Sequence, residues 1–142
     1  MDIEVGSNLF RNTNGAVNIE GVPHLTLETK PSNGALLLNI ALFDQSGRFV
    51  AKVVDSTLAF NERRAYELSK TPTSVEIKES EVGTVVFRVA RQSPERLTID
   101  QGKFWTIKGH LCTITPNECR IDKHTITKQE TDAKGGPAAL GG

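Results

Sequence analysis

Apolar residues recur at every second position along most of the chain, a period that suits a pleated strand and not a helix. The clearest run is Leu36 to Phe43, where Leu36, Leu38, Ile40 and Leu42 alternate with Leu37, Asn39, Ala41 and Phe43. Both sets are largely apolar, the pattern of a central strand covered on both faces. Asp44-Gln45-Ser46-Gly47 follows as a turn, with glycine where a positive φ is cheap. Arg48 to Leu58 resumes the alternation, with Phe49, Ala51 and Val53 on one face and Val50 and Val54 on the other. A hairpin is the expected result.

The remaining segments repeat the pattern with different exposure. Ser74-Val75-Glu76-Ile77-Lys78 alternates cleanly and reads as a half-exposed strand, joined by a turn over Glu79 to Gly83 to a stronger one. That second strand, Thr84 to Ala90, points Val85, Phe87 and Val89 inward. Leu97 to Asp100, then Phe104 to Ile107 between Gly102 and Gly109, then a hairpin around Pro116-Asn117, complete the series. Ahead of Leu36, Ala16-Val17-Asn18-Ile19 and His24-Leu25-Thr26-Leu27 read as short strands separated by Gly21 and Pro23. Turn signals every ~8–12 residues mark an all-β chain, expected here as an antiparallel β-sandwich or barrel-like domain.

Two segments fit that pattern less well. Asn61 to Leu68 could form a single helical turn, capped by Asn61 and stopped by Pro72, or an irregular loop. Asn8 to Gly21 has the short strand and Asn/Gly corners of one rung of a parallel β-solenoid, or else forms an edge hairpin turning at Asn14-Gly15. With 142 residues the chain suits one domain, read as 1–128, followed by a flexible Gly/Pro/Ala tail at 129–142.

Charge narrows the partners. Lysine plus arginine and aspartate plus glutamate both number 17, a net charge of zero that argues against a nucleic-acid partner and against a polybasic membrane anchor. Met1 to Gly6 lacks the basic start and apolar run of a secretory signal, and no window reaches the ~18 apolar residues of a membrane span. A cytoplasmic or virion-associated location is the expectation.

Phe43-Asp44-Gln45-Ser46-Gly47-Arg48-Phe49-Val50-Ala51-Lys52-Val53-Val54-Asp55, with Gly102-Lys103-Phe104 and Gly109-His110-Leu111 later, resembles small β-rich accessory domains of bacterial and phage proteins. The resemblance spans roughly Leu25 to Ile121. It implies a β-rich fold in a bacterial or phage setting and attaches no catalytic role.

Chemistry-bearing groups are sparse. His110, Cys112, Cys119 and His124 are the one clustered set of metal-ligating types, and a small zinc-dependent hydrolase is the alternative reading they raise. Their spacing lacks the close cysteine knuckle of common zinc modules, and a regular hairpin turns His124 to the opposite face. The expectation is therefore no metal and no cofactor. On the same hairpin Cys112 faces Ile121 and Ile114 faces Cys119, which sets the sulfurs on a diagonal near the upper limit of separation for a disulfide; two buried free thiols behaving as small hydrophobes are the expectation, with a bridge as the alternative. No nucleophile elbow, HExxH or phosphate-loop motif is present. His24, Ser46, Asp44 and Asp55 could be assembled into a triad on paper, but Asp44 is better explained by bonding its own turn.

Binding candidates are Arg63, Arg64 and Tyr66, a compact basic-aromatic patch, together with Trp105. Phe104 and Trp105 are adjacent, so in a strand one ring enters the core and the other faces outward. The function expected is a non-catalytic β-domain for protein binding or assembly, with a protein partner or a homo-oligomer covering the surplus apolar surface of the 35–58 hairpin. A carbohydrate-binding sandwich with Trp105 as the sugar platform is a further alternative.

Overall fold

A computed structural model describes residues 1–11, 13–19, 22–29, 36–126 and 139–140. The chain is all-β, and among the described residues its helical content is one 3-10 turn at Glu62–Arg64. The strands are β1 (Asp2–Val5), β2 (Asn8–Phe10), β3 (Ala16–Ile19), β4 (Val22–Thr29), β5 (Leu36–Phe43), β6 (Phe49–Val54) and β7 (Thr57–Asn61). After the turn come β8 (Tyr66–Thr71), β9 (Ser74–Glu79), β10 (Val85–Ser93), β11 (Arg96–Trp105), β12 (Leu111–Ile114), β13 (Cys119–Ile121), β14 (His124–Ile126) and β15 (Ala139–Leu140).

Two antiparallel meanders organise these strands. One runs β3-β4-β5-β6-β7 and the other β8-β9-β10-β11-β12-β13-β14. They join at one residue pair, Trp105 opposite Phe43, where the end of β11 meets the end of β5. At the other end of β5, the Leu36 amide donates to the Pro72 carbonyl at 3.2 Å, which ties the start of β5 to the β8–β9 turn. One buried cluster lies between them, with Leu38, Ile77, Phe87 and Val89 all at 0 % exposure. Each such aliphatic side chain contributes about 1.5–3 kcal/mol of transfer free energy.

β5 buries Leu36, Leu38, Ile40 and Leu42, as the alternation requires, while Leu37, Asn39 and Ala41 are half-buried. Asn39, the polar break in that run, accepts a hydrogen bond from the Asp55 amide at 2.9 Å. Its neighbour Ser56 is 2 % exposed, and its hydroxyl accepts from the Leu38 amide and donates to the Leu36 carbonyl. Asp55 and Ser56 both have positive φ, 50° and 61°, the paired left-handed geometry of a tight hairpin turn. These bonds to β5 offset the strain of non-glycine residues there.

Bulges account for most departures from the sequence reading. A register shift between Leu42 and Phe43 sets Phe49 opposite Phe43, which leaves Phe49 41 % exposed while Ala51 and Val53, expected on the same face, are buried. A second shift between Val85 and Phe87 buries Val86 together with Phe87 and leaves Val85 half-buried. One extra residue flips the side-chain alternation beyond it. The segments around Gly102 form one strand instead of two, because Gly102 is the residue paired with Phe87 on one side and Ile114 on the other. Ile107 falls outside that strand, in an exposed turn.

At the N-terminus, neither the solenoid rung nor a hairpin at Asn14-Gly15 describes residues 8–19. β2 pairs with β1 and β3 with β4, while β1 runs parallel to the first half of β11. Asn8 is 4 % exposed and its side-chain Nδ2 donates to the Ile126 carbonyl at 3.0 Å, which joins β2 to β14. The Gly21 turn and most of the 129–142 segment lie outside the described residues; Ala139–Leu140 runs parallel to β3. No helix of the described residues is long and apolar enough to cross a membrane.

Gly15 provides a local test of the packing. Its φ is +83°, and a Cβ there would sit 1.9 Å from the Leu27 carbonyl oxygen, a backbone atom that no rotamer can move. Gly83 has φ +73° but nothing within 4 Å of a Cβ. In urea titrations Gly15→Ala is expected to cost at least about 2 kcal/mol, and Gly83→Ala about 1 kcal/mol. Equal costs would contradict the close approach of β4 to Gly15.

Candidate functional site

A cleft lies where β11 changes partners. Along one edge β11 pairs with β10 from Arg96 to Gly102 and then with β5 at Trp105. Between those pairings, Lys103 and Phe104 pair with β12 alone among the described residues. The two strands that share this edge of β11, β10 and β5, thus leave a fork. A cleft of about 500 Å³ fills it, within the ~300–1,000 Å³ range of ordinary ligand sites.

Turn packing places the fork's joint. The Asp44–Arg48 turn and the Thr106–His110 turn lie against each other, since a Cβ on Gly47 would be 2.8 Å from the Ile107 carbonyl oxygen. Asp44 organises the first of these. Its carboxylate accepts from the Ser46 hydroxyl at 2.7 Å, the Arg48 amide at 2.9 Å, the Ser46 amide at 3.0 Å and Arg48 Nε at 3.1 Å. The Ser46 hydroxyl foremost, and then the Arg48 amide, hold its pKa at about 2, below the usual 3.8. Arg48 also reaches Glu62 at 2.7 Å, which links the turn to the Glu62–Arg64 segment and holds the Glu62 carboxyl below its ordinary range.

That segment forms the opposite wall, and its backbone is strained. Arg63 has φ 54° and ψ 21°, and Arg64 has φ 52°, so two adjacent arginines occupy the left-handed region. Such a conformation persists only where neighbours over-determine it. Asn61 does so: its side chain donates to the Tyr66 carbonyl at 2.8 Å and accepts from the Tyr66 amide at 3.1 Å. Ser80 holds the other side, its hydroxyl donating to the Arg64 carbonyl at 2.9 Å and its amide to the Ala65 carbonyl at 2.8 Å. Asn61 is therefore a clamp across the loop and not the cap of a right-handed helix, and Tyr66 to Leu68 belong to β8.

All four binding candidates from the sequence, Arg63, Arg64, Tyr66 and Trp105, line this cleft. Phe104 is 4 % exposed and packs edge-on against Phe87 with ring centroids 6.0 Å apart, while Trp105 is half-buried on the other face of the strand. Burial, and after it the nearby Glu79 carboxylate, push the Tyr66 phenol above its ordinary pKa. Phe43, Glu79, Glu81 and Lys103 also line the cleft and are not among the binding candidates that the sequence offers. They converge only through the fork, which no local pattern encodes. Phe43 in turn meets the exposed Phe49 edge-on, and Phe49 stacks on the exposed Phe60 at 5.4 Å, extending an aromatic surface away from the cleft.

The metal-ligating set does not assemble. Cys112 and Cys119 are buried thiols at 0 % exposure, placed opposite Ile121 and Ile114 as the hairpin spacing requires, whereas His110 and His124 are exposed. Among the described residues no group of three or more histidine, cysteine, aspartate or glutamate side chains is arranged to hold a metal. Asp44 is occupied by its own turn, and the His24 side chain lies outside the described residues. No known protein family, curated protein or solved structure matches this chain.

Two consequences can be measured. Asn61→Ala removes both bonds to the Tyr66 backbone and is expected to cost about 1–3 kcal/mol in chemical denaturation, with a change in the emission of Trp105, the sole tryptophan. An Asp44 pKa depressed in the folded state contributes stability that is complete above 3.8 and is lost as pH falls through about 2. Thermal melts of Asp44→Asn between pH 5 and ~2 should lack that part of the acid-side decline; an unchanged profile would contradict the network.

Proposed function

We propose that this chain is a non-catalytic β-domain that holds a protein partner in the β10/β11/β5 fork. The observation that carries the reading is convergence. Arg63, Arg64, Tyr66 and Trp105, nominated separately in sequence, share one cleft. Tryptophan, tyrosine and arginine are the residue types that dominate binding energy at protein interfaces. The strained Arg63-Arg64 backbone supports the same reading, because left-handed arginines clamped from both sides cost stability that a solvated loop has no need to spend.

Self-association is the second form of this reading, and the exposed Phe49/Phe60 stack favours it. A bacterial or phage assembly remains the proposed setting on the sequence resemblance alone. The zinc-hydrolase alternative draws no support from two buried thiols flanked by exposed histidines.

Affinity capture from cell extract with immobilised protein, run beside Arg64→Ala and Trp105→Ala, tests the cleft. A specific partner retained by the wild type should be weakened about tenfold or more by each substitution, the loss expected for truncating an interface anchor. Light scattering over a dilution series, with Phe60→Ser as comparison, reads the self-associating form. Partner retention and oligomeric state that ignore all three substitutions would overturn the reading.

A further inference from the structure

The fork carries a more specific inference, which rests on the cleft being the binding site. We infer that its occupant is an extended peptide segment of the partner, laid along the free edge of β11 at Lys103–Phe104, with an acidic residue beside an apolar one.

The backbone supplies the first argument. Lys103 and Phe104 have a strand on one side only, among the described residues, although β11 is paired on that edge both before and after them. A short stretch of unpaired strand edge recognises another main chain by adding it as a strand. Sugars and flat cofactors have no repeating amide to match it.

Side chains supply the second. Phe43, Tyr66 and Trp105 line the cleft beside that edge, aromatic residues that offer an apolar seat for side chains of an extended segment. Charge supplies the third. Arg63, Arg64 and Lys103 have no ion-pair partner among the described residues, whereas Arg48 is held by Asp44 and Glu62. Unpaired guanidinium groups in a cleft complement a carboxylate, which they can bind by paired hydrogen bonds. Glu79 and Glu81 line the same cleft and are likewise without an ion pair. Asp44 lines the cleft too but is held by Arg48 and its own turn. The charge of the two glutamates opposes a polyanion such as a nucleic acid, and the single cation in excess of them leaves room for one carboxylate.

Trp105, the sole tryptophan, lines the cleft and reports on its occupant. The probes are pooled hexapeptides, acetylated and amidated at their ends, each pool fixed at two central positions, with soluble oligosaccharides as the contrasting set. Pools pairing aspartate or glutamate with an apolar residue should change Trp105 emission, and Arg63→Ala and Arg64→Ala should each weaken the best peptide about tenfold. N-methylation of single amides in that peptide should weaken it about three- to tenfold at the position that bonds this short edge and not at the positions on either side, the signature of strand addition.

Binding with no acidic preference, or with a flat N-methyl scan, would overturn this inference while leaving the cleft as the binding site. A response to oligosaccharides and to no peptide pool would overturn it as well. Partner capture indifferent to Arg64 and Trp105 would instead remove the reading beneath it.

Discussion

The pairing of Trp105 with Phe43 is the constraint on which the rest of the molecule depends. It joins the end of β11 to the end of β5, and through them two meanders whose strand ladders are otherwise separate among the described residues, with the Leu36–Pro72 and Asn61–Tyr66 hydrogen bonds as further ties. An antiparallel meander has two edges, and unpaired edges invite association. Here β11 pairs with β10 for most of its length and with β5 at its tip, so one edge is divided between two partners. The two residues left between those partners, Lys103 and Phe104, form the base of the cleft. The site is thus a by-product of how the sheet is joined, and its walls are the turns that the joint brings together.

Those walls are held by polar groups whose partners are backbone atoms. Asp44 binds the amides of its own turn, Asn61 bridges both backbone atoms of Tyr66, and Ser80 binds the carbonyls of Arg64 and Ala65. Bonds of this kind fix loop shape without using the long side chains that line the cleft. Arg63 and Arg64 are consequently presented by a rigid, strained backbone while their guanidinium groups stay unpaired among the described residues. Preorganisation of this sort reduces the entropy cost of binding.

Much of this was legible in sequence, and the gaps have physical causes. Period-two alternation was enough for the all-β class, for the β5–β6 hairpin and for the Cys112/Ile121 and Ile114/Cys119 register, because those depend on neighbours in the chain. Phe49 parts from the face of Ala51 and Val53, and Val85 from the inward set of Phe87 and Val89, because a bulge shifts the alternation by one residue without any local signature strong enough to announce it. The Glu62–Arg64 turn was foreseen as helical or irregular, but its left-handed form depends on Asn61 reaching Tyr66. Gly102 reads in sequence as a break, yet it is the point where three strands meet. Arg63, Arg64, Tyr66 and Trp105 were each visible as residue types; that they share a cleft follows from long-range pairing alone, as does the presence of Phe43, Lys103, Glu79 and Glu81 beside them.

The central claim is that Trp105 and the Arg63-Arg64 loop form one site in the free protein, and quenching of the single tryptophan tests it without any partner. Arginine near the indole concentrates a mobile anion, so iodide should quench Trp105 more strongly, relative to neutral acrylamide, in the wild type than in Arg63→Ala or Arg64→Ala at low ionic strength. The difference should shrink as an inert salt is added. Identical iodide-to-acrylamide ratios in all three proteins would mean that the arginines do not face Trp105, and the cleft as described would not exist.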